Sequence, residues 1–161
     1  MVSFREVPVT DDTAHMLLTE YFASRAESFP VSMGTYHTAF PDPALFTPPR
    51  GVFVVVSDQA ADVGCGGIRL LTHGAGVTRF EIKHLWVQPG SRGTGLGRAL
   101  LDELEARARA FGASEVVLDT NLALEAAGGL YRSSGYGEIA PYNDNPNATH
   151  WFAKNLTTEL E

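Results

Sequence analysis

Apolar positions follow strand-like patterns in several short stretches of the chain. Val2–Val7 alternates apolar and polar residues, and Val52–Ser57 is an apolar run rich in β-branched residues. Val63–Leu71 and Val77–Val87 repeat the strand signal after short polar turns. Because such short connections join neighbouring strands in opposite directions, we expect an antiparallel meander here.

Two other stretches carry a helical period. Asp11 and Asp12 can cap a helix, whose amphipathic pattern is carried by Met16, Leu17, Glu20, Tyr21 and Ser24. A stronger helix is predicted from about Gly95 to Phe111, and Gly112 ends it. Between the first helix and the meander, residues 29–50 contain five prolines, which predict a loop with a short helix at most.

The remainder of the chain predicts a strand, a helix and two strands: Glu115–Asp119, Leu122–Ser133, Tyr136–Ala140 and Thr149–Asn155. The strand–helix–strand order across residues 77–119 requires a crossover, which places two strands in parallel. The fold class is therefore mixed α/β (α+β), with a sheet that is antiparallel at its start. No repeat or linker divides the chain, so residues 1–161 are expected to form a single domain.

Composition narrows the classes of function. The 44% hydrophobic and 19% charged fractions are those of a globular protein. A formal net charge of −7 gives no support to nucleic-acid binding or to an anionic membrane surface. No apolar run approaches the ~20 residues of a membrane helix, and the polar start is unlike a signal peptide. One cysteine, Cys65, excludes an internal disulfide and suits a reducing compartment, so we expect a cytoplasmic protein.

The segment Arg92-Gly93-Thr94-Gly95-Leu96-Gly97 lies between a predicted strand and the strong helix. The first amides of a helix point outward without intrahelical partners, and the helix dipole favours an anion there. Glycines let the backbone approach that anion, and Arg92 and Arg98 add positive charge. The segment therefore predicts a phosphate site; the alternative is an ordinary helix entry that needs positive φ.

Two common phosphate loops do not fit this segment. A Walker loop requires Gly-x-x-x-x-Gly-Lys-Ser/Thr, which does not occur in the sequence. A dinucleotide loop requires Gly-x-Gly-x-x-Gly, and counting from Gly93 the last position is Arg98. A nucleotide-binding kinase or dehydrogenase is thus a distant alternative.

The segment resembles instead the pyrophosphate loop of the GNAT superfamily of N-acetyltransferases, whose pattern is Arg/Gln-x-x-Gly-x-Gly/Ala. Arg92, Gly95 and Gly97 match that pattern in place. The resemblance extends to Glu81–Pro89, similar to the family's fourth strand, and to Leu130–Tyr136, similar to its Leu-Tyr-x-x-x-Gly-Phe/Tyr motif. It covers roughly residues 52–140 and implies a mostly antiparallel sheet of six to seven strands flanked by about four helices.

The resemblance also implies a co-substrate, acetyl-CoA, and the residues that would hold it. Its pyrophosphate would bind the loop residues Arg92, Gly93, Thr94, Gly95, Leu96, Gly97 and Arg98. The pantetheine arm would pair with the backbone of Leu85, Trp86 and Val87 as an added strand. Asn121 is expected to contact the arm, although many relatives carry their Asn six residues before the second motif, where this chain has Leu124.

Acyl transfer to an amine needs a proton for the leaving thiolate and a deprotonated nucleophile. Tyr131 matches the family tyrosine that protonates the CoA sulfur; the alternative is a packed core aromatic that can still present its hydroxyl. Glu81 matches a position where some relatives carry a base, and an ion pair with Lys83 is the other reading. Period two places His84 on the face opposite Glu81, which makes it a minor candidate. The backbone amide of Leu85 is a candidate for polarising the thioester carbonyl.

Other polar residues give weaker predictions. Cys65 is expected to be a small apolar strand residue. The histidines show no metal-ligand spacing, so no metal is predicted. Tyr142–Pro146 could line the acceptor pocket or form Asx turns. The predicted activity is transfer of an acetyl group from acetyl-CoA to a primary amine of a small molecule or peptide, and the alternative is a non-catalytic acyl-CoA-binding or sensing module. A homodimer is common among similar proteins, and the sequence does not decide it.

Overall fold

The computed structural model describes residues 1–123 and 127–157 of the chain, and within them one sheet of seven strands forms the centre of the fold. The strand order is β1-β2-β3-β4-β5-β7-β6. The strands are β1 (Val2–Glu6), β2 (Gly51–Asp58), β3 (Ala61–Gly74), β4 (Val77–Val87), β5 (Glu115–Thr120), β6 (Gly137–Ile139) and β7 (His150–Asn155). Only β4 and β5 are parallel, so the predicted mixed, mostly antiparallel sheet is confirmed.

Three α-helices lie in the described ranges: α1 (Asp12–Ser28), α2 (Leu96–Ala110) and α3 (Ala127–Ser133). The count is lower than the four expected, because residues 29–50 form only two 3₁₀ turns, Val31–Met33 and Pro43–Phe46. The helix predicted from Leu122 begins later: Leu122 and Ala123 lie in a turn, and residues 124–126, including Leu124, are outside the described residues.

The first helix begins as predicted but buries a different set of side chains. The Asp11 carboxylate accepts hydrogen bonds from the backbone amides of Thr13 and Ala14, at 2.9 and 3.2 Å, so Asp11 is the N-cap. The buried face consists of Ala14, Leu17, Leu18 and Phe22, whereas Met16 is exposed. Polar residues interrupt the apolar stripe of α1, which made its inward face hard to read from periodicity.

Two hydrophobic cores lie on opposite faces of the sheet. One packs α2 and Tyr131 of α3 against the sheet, and its members include Phe80, Ile82, Leu100 and Leu104. The other packs α1 against the sheet, and its members include Leu17, Phe22, Phe53 and Trp86. Each strand of the centre therefore has one face toward each core.

A β-bulge in β4 changes which of its residues share a face. Trp86 pairs with Cys65 and Lys83 pairs with Gly67, so His84 and Leu85 together oppose a single residue of β3. His84 takes a φ of 59°, in the left-handed region. Leu85 consequently packs against the core that contains Phe80 and Ile82, while His84 packs on the opposite side. The prediction that His84 lies opposite Glu81 was therefore wrong, because strict period two fails across a bulge.

The parallel pair of strands separates after a short stretch of pairing. Arg79, Phe80 and Glu81 of β4 pair with Glu115, Val116 and Val117 of β5, and no register pair between these strands follows in the described ranges. Beyond Glu81, β4 is not paired with β5 in the described ranges, and an opening lies between the two strands there.

A buried polar network ties α2 to the last strands. The Glu105 carboxylate accepts hydrogen bonds from the Tyr136 hydroxyl at 2.7 Å and from Lys154 Nζ at 2.9 Å. Burial, and next the neighbouring Glu105, raises the pKa of Tyr136, so its hydroxyl stays protonated and donates. The network satisfies a carboxylate that is otherwise enclosed in the core.

Tyr136→Phe is expected to lower the free energy of unfolding by about 1–3 kcal/mol, because a buried carboxylate oxygen loses its donor. Urea unfolding followed by circular dichroism measures the change. Glu6→Ala is the matched control. It removes an exposed ion-pair partner of Arg107, which lies in α2 as Glu105 does, and it should cost less than about 1 kcal/mol. Equal effects of the two substitutions would contradict the assignment.

Every helix in the described ranges is too short or too polar to cross a membrane.

Candidate active site

The opening between β4 and β5 is part of a cavity of about 460 Å³. Its floor is the part of the sheet beyond Glu81, where β4 and β5 are not paired. Its walls come from α1, residues 29–50 (the proline-rich segment), α3 and the loop before β7. Residues that line it include Tyr21, Phe22 and Arg25 of α1, Tyr36 and Phe46 of the proline-rich segment, Arg69, Lys83, His84, Leu85, Asp119, Asn121, Tyr131 and Asn147. The cavity therefore joins segments that lie far apart in the sequence.

The glycine segment forms the turn between β4 and α2. Gly93 and Gly95 have φ values of 79° and 86°, and Gly95 is the residue that precedes the first turn of α2. A Cβ atom at either glycine would meet no other atom within 4 Å, so the space outside the turn is open. The first amides of α2 therefore face an unobstructed position at which an anion can approach.

The two arginines of the segment are held by protein groups. Arg92 Nε donates to the carbonyl of Val87 at 2.9 Å, and its guanidinium lies 4.9 Å from the centre of the Trp86 ring. Arg98 donates to the hydroxyls of Ser133 and Ser134 at 2.7 and 3.0 Å. Both contribute positive charge near the turn, while its backbone amides provide the direct donors for an anion.

The strand residues predicted to pair with the pantetheine arm lie next to the opening. Trp86 pairs with Cys65 and Val87 pairs with Gly64, so the backbone edge of these two residues that faces β3 is already occupied by that strand. The other edge of Leu85–Val87 has no strand partner in the described parts of the chain. An extended ligand can therefore pair with this edge as an additional strand.

Asn121 lines the cavity, but its side chain is engaged within the protein. Its Nδ2 donates to the Asn147 carbonyl at 3.1 Å and lies 3.4 Å from Met33 Sδ, while its Oδ1 accepts from the Ala123 amide at 3.0 Å. These contacts join the end of β5 to the loop before β7. The predicted contact of Asn121 with the pantetheine arm stays a prediction, and its present contacts favour a structural role.

Tyr131 lies in α3 at the side of the cavity, in contact with the core. It is 4% exposed, and its ring packs against Tyr136 and Phe152 with centroid distances of 6.0 and 5.9 Å. The same residue lines the cavity, so packing and access to the cavity coexist. These ring contacts hold the side chain of Tyr131 in place at the wall of the cavity.

Glu81 is fully buried and both of its oxygens are engaged. Oε1 accepts from Arg69 at 2.9 and 2.8 Å, and Oε2 accepts from the Tyr142 hydroxyl at 2.6 Å. Lys83 Nζ lies 3.7 Å from Oε2. These contacts agree with the interpretation of Glu81 as an ion-paired residue. Glu81 is not among the residues that line the cavity.

Lys83 and Asp119 form a second ion pair across the opening. Lys83 Nζ donates to Asp119 Oδ1 at 3.2 Å, and Asn143 Nδ2 donates to Asp119 Oδ2 at 2.8 Å. Burial opposes charge on both groups, but the attraction outweighs it: the pKa of Lys83 is raised, with Glu81 contributing, and the pKa of Asp119 is lowered. Both groups are therefore charged at neutral pH.

His84 lines the cavity, as His37 does, and its ring is buried among aromatic side chains. Its ring contacts those of Tyr21, Phe22 and Phe46, with centroid distances of 5.6, 5.5 and 6.0 Å. Burial, followed by the nearby charge of Lys83, lowers the pKa of His84 to about 3. Its Nδ1 is buried and has no hydrogen-bond partner in the described residues. The ring is accordingly neutral at physiological pH.

Sequence reasoning missed Asn147, which lines the cavity and joins two of its walls. The Asn147 side chain accepts from the His37 amide at 2.9 Å and donates to the His37 carbonyl at 2.8 Å. This reciprocal pair fastens the proline-rich segment to the loop before β7 across 110 positions of sequence. The polar character of Tyr142–Pro146 was the nearest signal: Asn145 and Pro146 line the cavity, Asn143 donates to the cavity carboxylate Asp119, and Tyr142 donates to the buried Glu81.

Within the described ranges, no group of three or more His, Cys, Asp or Glu side chains is arranged to hold a metal ion. Cys65 is buried beside the carbonyl of His84, and burial raises the pKa of its thiol. The chemistry of the cavity is therefore that of backbone amides, hydroxyls, ion pairs and the imidazoles of His37 and His84.

Comparison with known proteins agrees with this arrangement. The profile of the Acetyltransferase (GNAT) family matches residues 12–136. A solved structure from Klebsiella pneumoniae, described as an acyl-CoA N-acyltransferase, has a TM-score of 0.76 at 28% identity and covers 97% of this chain and 98% of that one. A GNAT-family acetyltransferase from Staphylococcus aureus has a TM-score of 0.75 at 17% identity, covering 97% and 99%, which shows the shared fold.

The chain belongs to the GNAT acetyltransferase family. Among curated relatives, it is 37% identical over 97 residues to an IAA acetyltransferase from Azospirillum brasilense, covering 58% of this chain and 61% of that protein. It is 35% identical over 102 residues to an uncharacterized N-acetyltransferase from Schizosaccharomyces pombe, covering 63% and 61%. The matches thus span about three fifths of the length of these relatives.

Proposed function

We propose that this protein transfers an acetyl group from acetyl-CoA to a primary amine by direct attack of the amine on the thioester. The observation that carries the proposal is the cavity between the diverging strands β4 and β5, with a free strand edge on one side and Tyr131 on the other. The glycine turn at the end of β4 supplies the phosphate-binding amides. The proposal thus assigns donor binding and chemistry to the length of one strand.

The chain's own residues divide the work of the reaction. The edge of Leu85–Val87 orients the pantetheine arm, and the Leu85 amide at the bulge polarises the thioester carbonyl, since a fixed donor stabilises the charge that develops there. Tyr131 gives its proton to the departing thiolate. Glu81 holds Arg69 and Lys83 in place through its ion pairs, a role that its contacts favour over that of the base.

The relatives support the donor half of this proposal. The curated matches are named as acetyltransferases, one of them for IAA. Because the alignments cover only part of each protein, they support the class of reaction, and the acceptor is better argued from the cavity of this chain. A homodimer, a cytoplasmic location and the organisation of residues 1–161 as a single domain stay predictions.

The proposal is tested by measuring CoA release from acetyl-CoA with a thiol reagent, in the presence of a panel of primary amines, and by calorimetry with CoA. Amine-dependent thiol release together with a new amide in the mass spectrum is the expected result. Tight CoA binding without acceleration by any amine would favour the alternative, a non-catalytic acyl-CoA-binding module. Binding of ATP or NAD without binding of CoA would overturn both.

Gly95→Ala is expected to weaken CoA binding by about tenfold or more. A side chain at φ 86° costs about 1–2 kcal/mol of strain and shifts the amides at the start of α2. Calorimetry with CoA measures the loss. Gly90→Ala is the matched control, because Gly90 lies in the preceding turn, has open space around it and lacks a positive φ. Similar affinities for the two variants would contradict the role of the glycine turn.

A further inference from the structure

The loop before β7 carries an asparagine at every second position, and these side chains order the loop. Asn143 Oδ1 accepts a hydrogen bond from the backbone amide of Asn145 at 3.2 Å, and Asn145 Oδ1 accepts one from the amide of Asn147 at 3.0 Å. Bonds from an Asn side chain to the amide two residues later are Asx turns, which hold the chain in one local conformation. The loop therefore has a defined shape of its own.

Both ends of this run of asparagines are attached to other parts of the fold. At one end, Asn143 Nδ2 donates to Asp119 of β5 at 2.8 Å, and Asn143 Oδ1 accepts from Trp151 Nε1 of β7 at 2.9 Å. At the other end, the side chain of Asn147 bonds the backbone of His37. The run thus connects the edge of the sheet opening with the proline-rich segment.

The Asn147–His37 pair uses the whole amide group of the Asn147 side chain. Its oxygen lies 2.9 Å from the His37 nitrogen and its nitrogen lies 2.8 Å from the His37 carbonyl oxygen, as in a pair of bonded strands. The backbone carbonyl of Asn147 accepts in addition from the buried Asn121, whose Nδ2 also lies 3.4 Å from Met33 Sδ of the proline-rich segment. Asn147 is therefore anchored on one side and holds His37 on the other.

The two segments that this pair joins face the same cavity. The proline-rich segment contributes Tyr36 and Phe46 among its lining residues, and the loop before β7 contributes Asn145 and Pro146 among its own. On its other side, the proline-rich segment packs on α1 through rings, with Tyr36 at 6.5 Å from Phe22. The separation of the two walls therefore depends on the Asn147–His37 pair.

The pair is reversible, because both of its hydrogen bonds are exposed to solvent. A protein hydrogen bond of ordinary strength shifts an equilibrium by a factor of about 2–10. The side chain of Asn147 consequently changes how often the wall stands apart from the loop without deciding whether the protein folds. The cavity of about 460 Å³ lies in the lower part of the range of small-molecule sites, about 300–1,000 Å³.

We propose that Asn147 is a positioning residue that fixes the width of the acceptor side of the cavity and so selects compact primary amines over extended ones such as peptides. It acts through the proline-rich segment, while the reacting atoms lie at Leu85 and Tyr131 in the proposed function. The inference rests on that proposed function, because the cavity must hold the acetyl end of the donor together with the acceptor.

Asn147→Ala is compared with the wild type on two pairs of amines, each pair sharing one type of amino group: phenethylamine with 4-phenylphenethylamine, and alanine amide with trialanine amide. For the compact member we expect KM to rise about three- to tenfold and kcat to stay within about twofold, because binding is lost and the chemistry is kept. The preference in kcat/KM for the compact member should fall at least about threefold. Calorimetry should give an unchanged affinity for CoA.

Asn155→Ala is the matched control. Asn155 is an exposed asparagine whose Oδ1 accepts from the amide of Thr157 at 2.8 Å, and it is not among the described residues that line the cavity. This variant should keep the wild-type KM and preference. Chymotrypsin cleavage after Tyr36 gives a measurement that needs no acceptor: it should be about three- to tenfold faster in Asn147→Ala and unchanged in Asn155→Ala, because the protease cuts the open form.

A wild-type KM and preference in Asn147→Ala would overturn the inference. Equal losses for compact and extended amines together with weaker CoA binding would also overturn it, since a purely structural role gives that result. If the wild type binds CoA but acetylates no amine, the proposed function fails and acceptor selection fails with it. Faster cleavage after Tyr36 would in that case still show that Asn147 holds the proline-rich segment.

Discussion

Tyr131→Phe is expected to lower kcat by a factor of 100 or more, with little change in the affinity for CoA. In the proposed mechanism the hydroxyl supplies the proton that the leaving thiolate takes up, and general acid catalysis of this kind contributes a factor of about 10²–10⁴. The ring of Tyr131 is buried against Tyr136 and Phe152, and Phe preserves that packing. Steady-state thiol release measures kcat, and calorimetry measures CoA binding.

Tyr136→Phe is the matched control for this experiment. Tyr136 lies beside Tyr131 in the same core, but its hydroxyl bonds Glu105 and it does not line the cavity. Its substitution should reduce stability and leave kcat within about twofold at a temperature where the variant is folded. Wild-type kcat in Tyr131→Phe would show that Tyr131 is only a packed aromatic, which was the alternative reading of its sequence position.

The stability of the protein is expected to fall as the pH falls below about 6.5, in part through His84. The pKa of His84 is lowered to about 3 in the folded protein and is about 6.5 in the unfolded chain. Between these values the unfolded chain binds a proton that the folded protein does not, so unfolding becomes easier as the pH decreases. One such group contributes up to about 1.4 kcal/mol for each pH unit in this window.

His84→Asn isolates this contribution, because Asn does not titrate and tolerates the left-handed φ of the bulge. Urea unfolding from about pH 7 to about pH 5 should show a smaller pH dependence in this variant than in the wild type. The smaller side chain lowers stability at every pH, but the slope carries the information. His73→Asn, at the exposed end of β3, should keep the wild-type slope. An unchanged slope in His84→Asn would contradict the assignment.

Local patterns predicted much of the architecture correctly. Val77–Val87 was predicted with the same bounds that β4 has, and the glycine turn does precede α2. These predictions succeeded because strand period, helix period and glycine turns are each determined over a few neighbouring residues. The family resemblance depended on the same short motifs, and residues 12–136 match the family profile.

The face of the sheet on which the His84 side chain lies could not be predicted from local patterns. A bulge adds a residue to one strand relative to its partner, so it is defined only when β3 and β4 are paired. Period two from Glu81 therefore assigned His84 to the wrong side. The same limit applies to Glu81: the sequence suggested Lys83 as its ion-pair partner, whereas its direct partners are Arg69 of a neighbouring strand and Tyr142 of a distant loop.

The sequence by itself determined the order of strands and helices and the position of the glycine turn, and it contains the motifs on which the donor half of the proposed reaction depends, because these reside in contiguous residues. Only the tertiary structure decided which side chains surround the cavity. The rings around His84, the ion pair of Lys83 with Asp119 and the Asn147–His37 pair come from segments up to 110 positions apart. Their charge and burial arise when the fold brings them around one cavity, so no single stretch of sequence displays them.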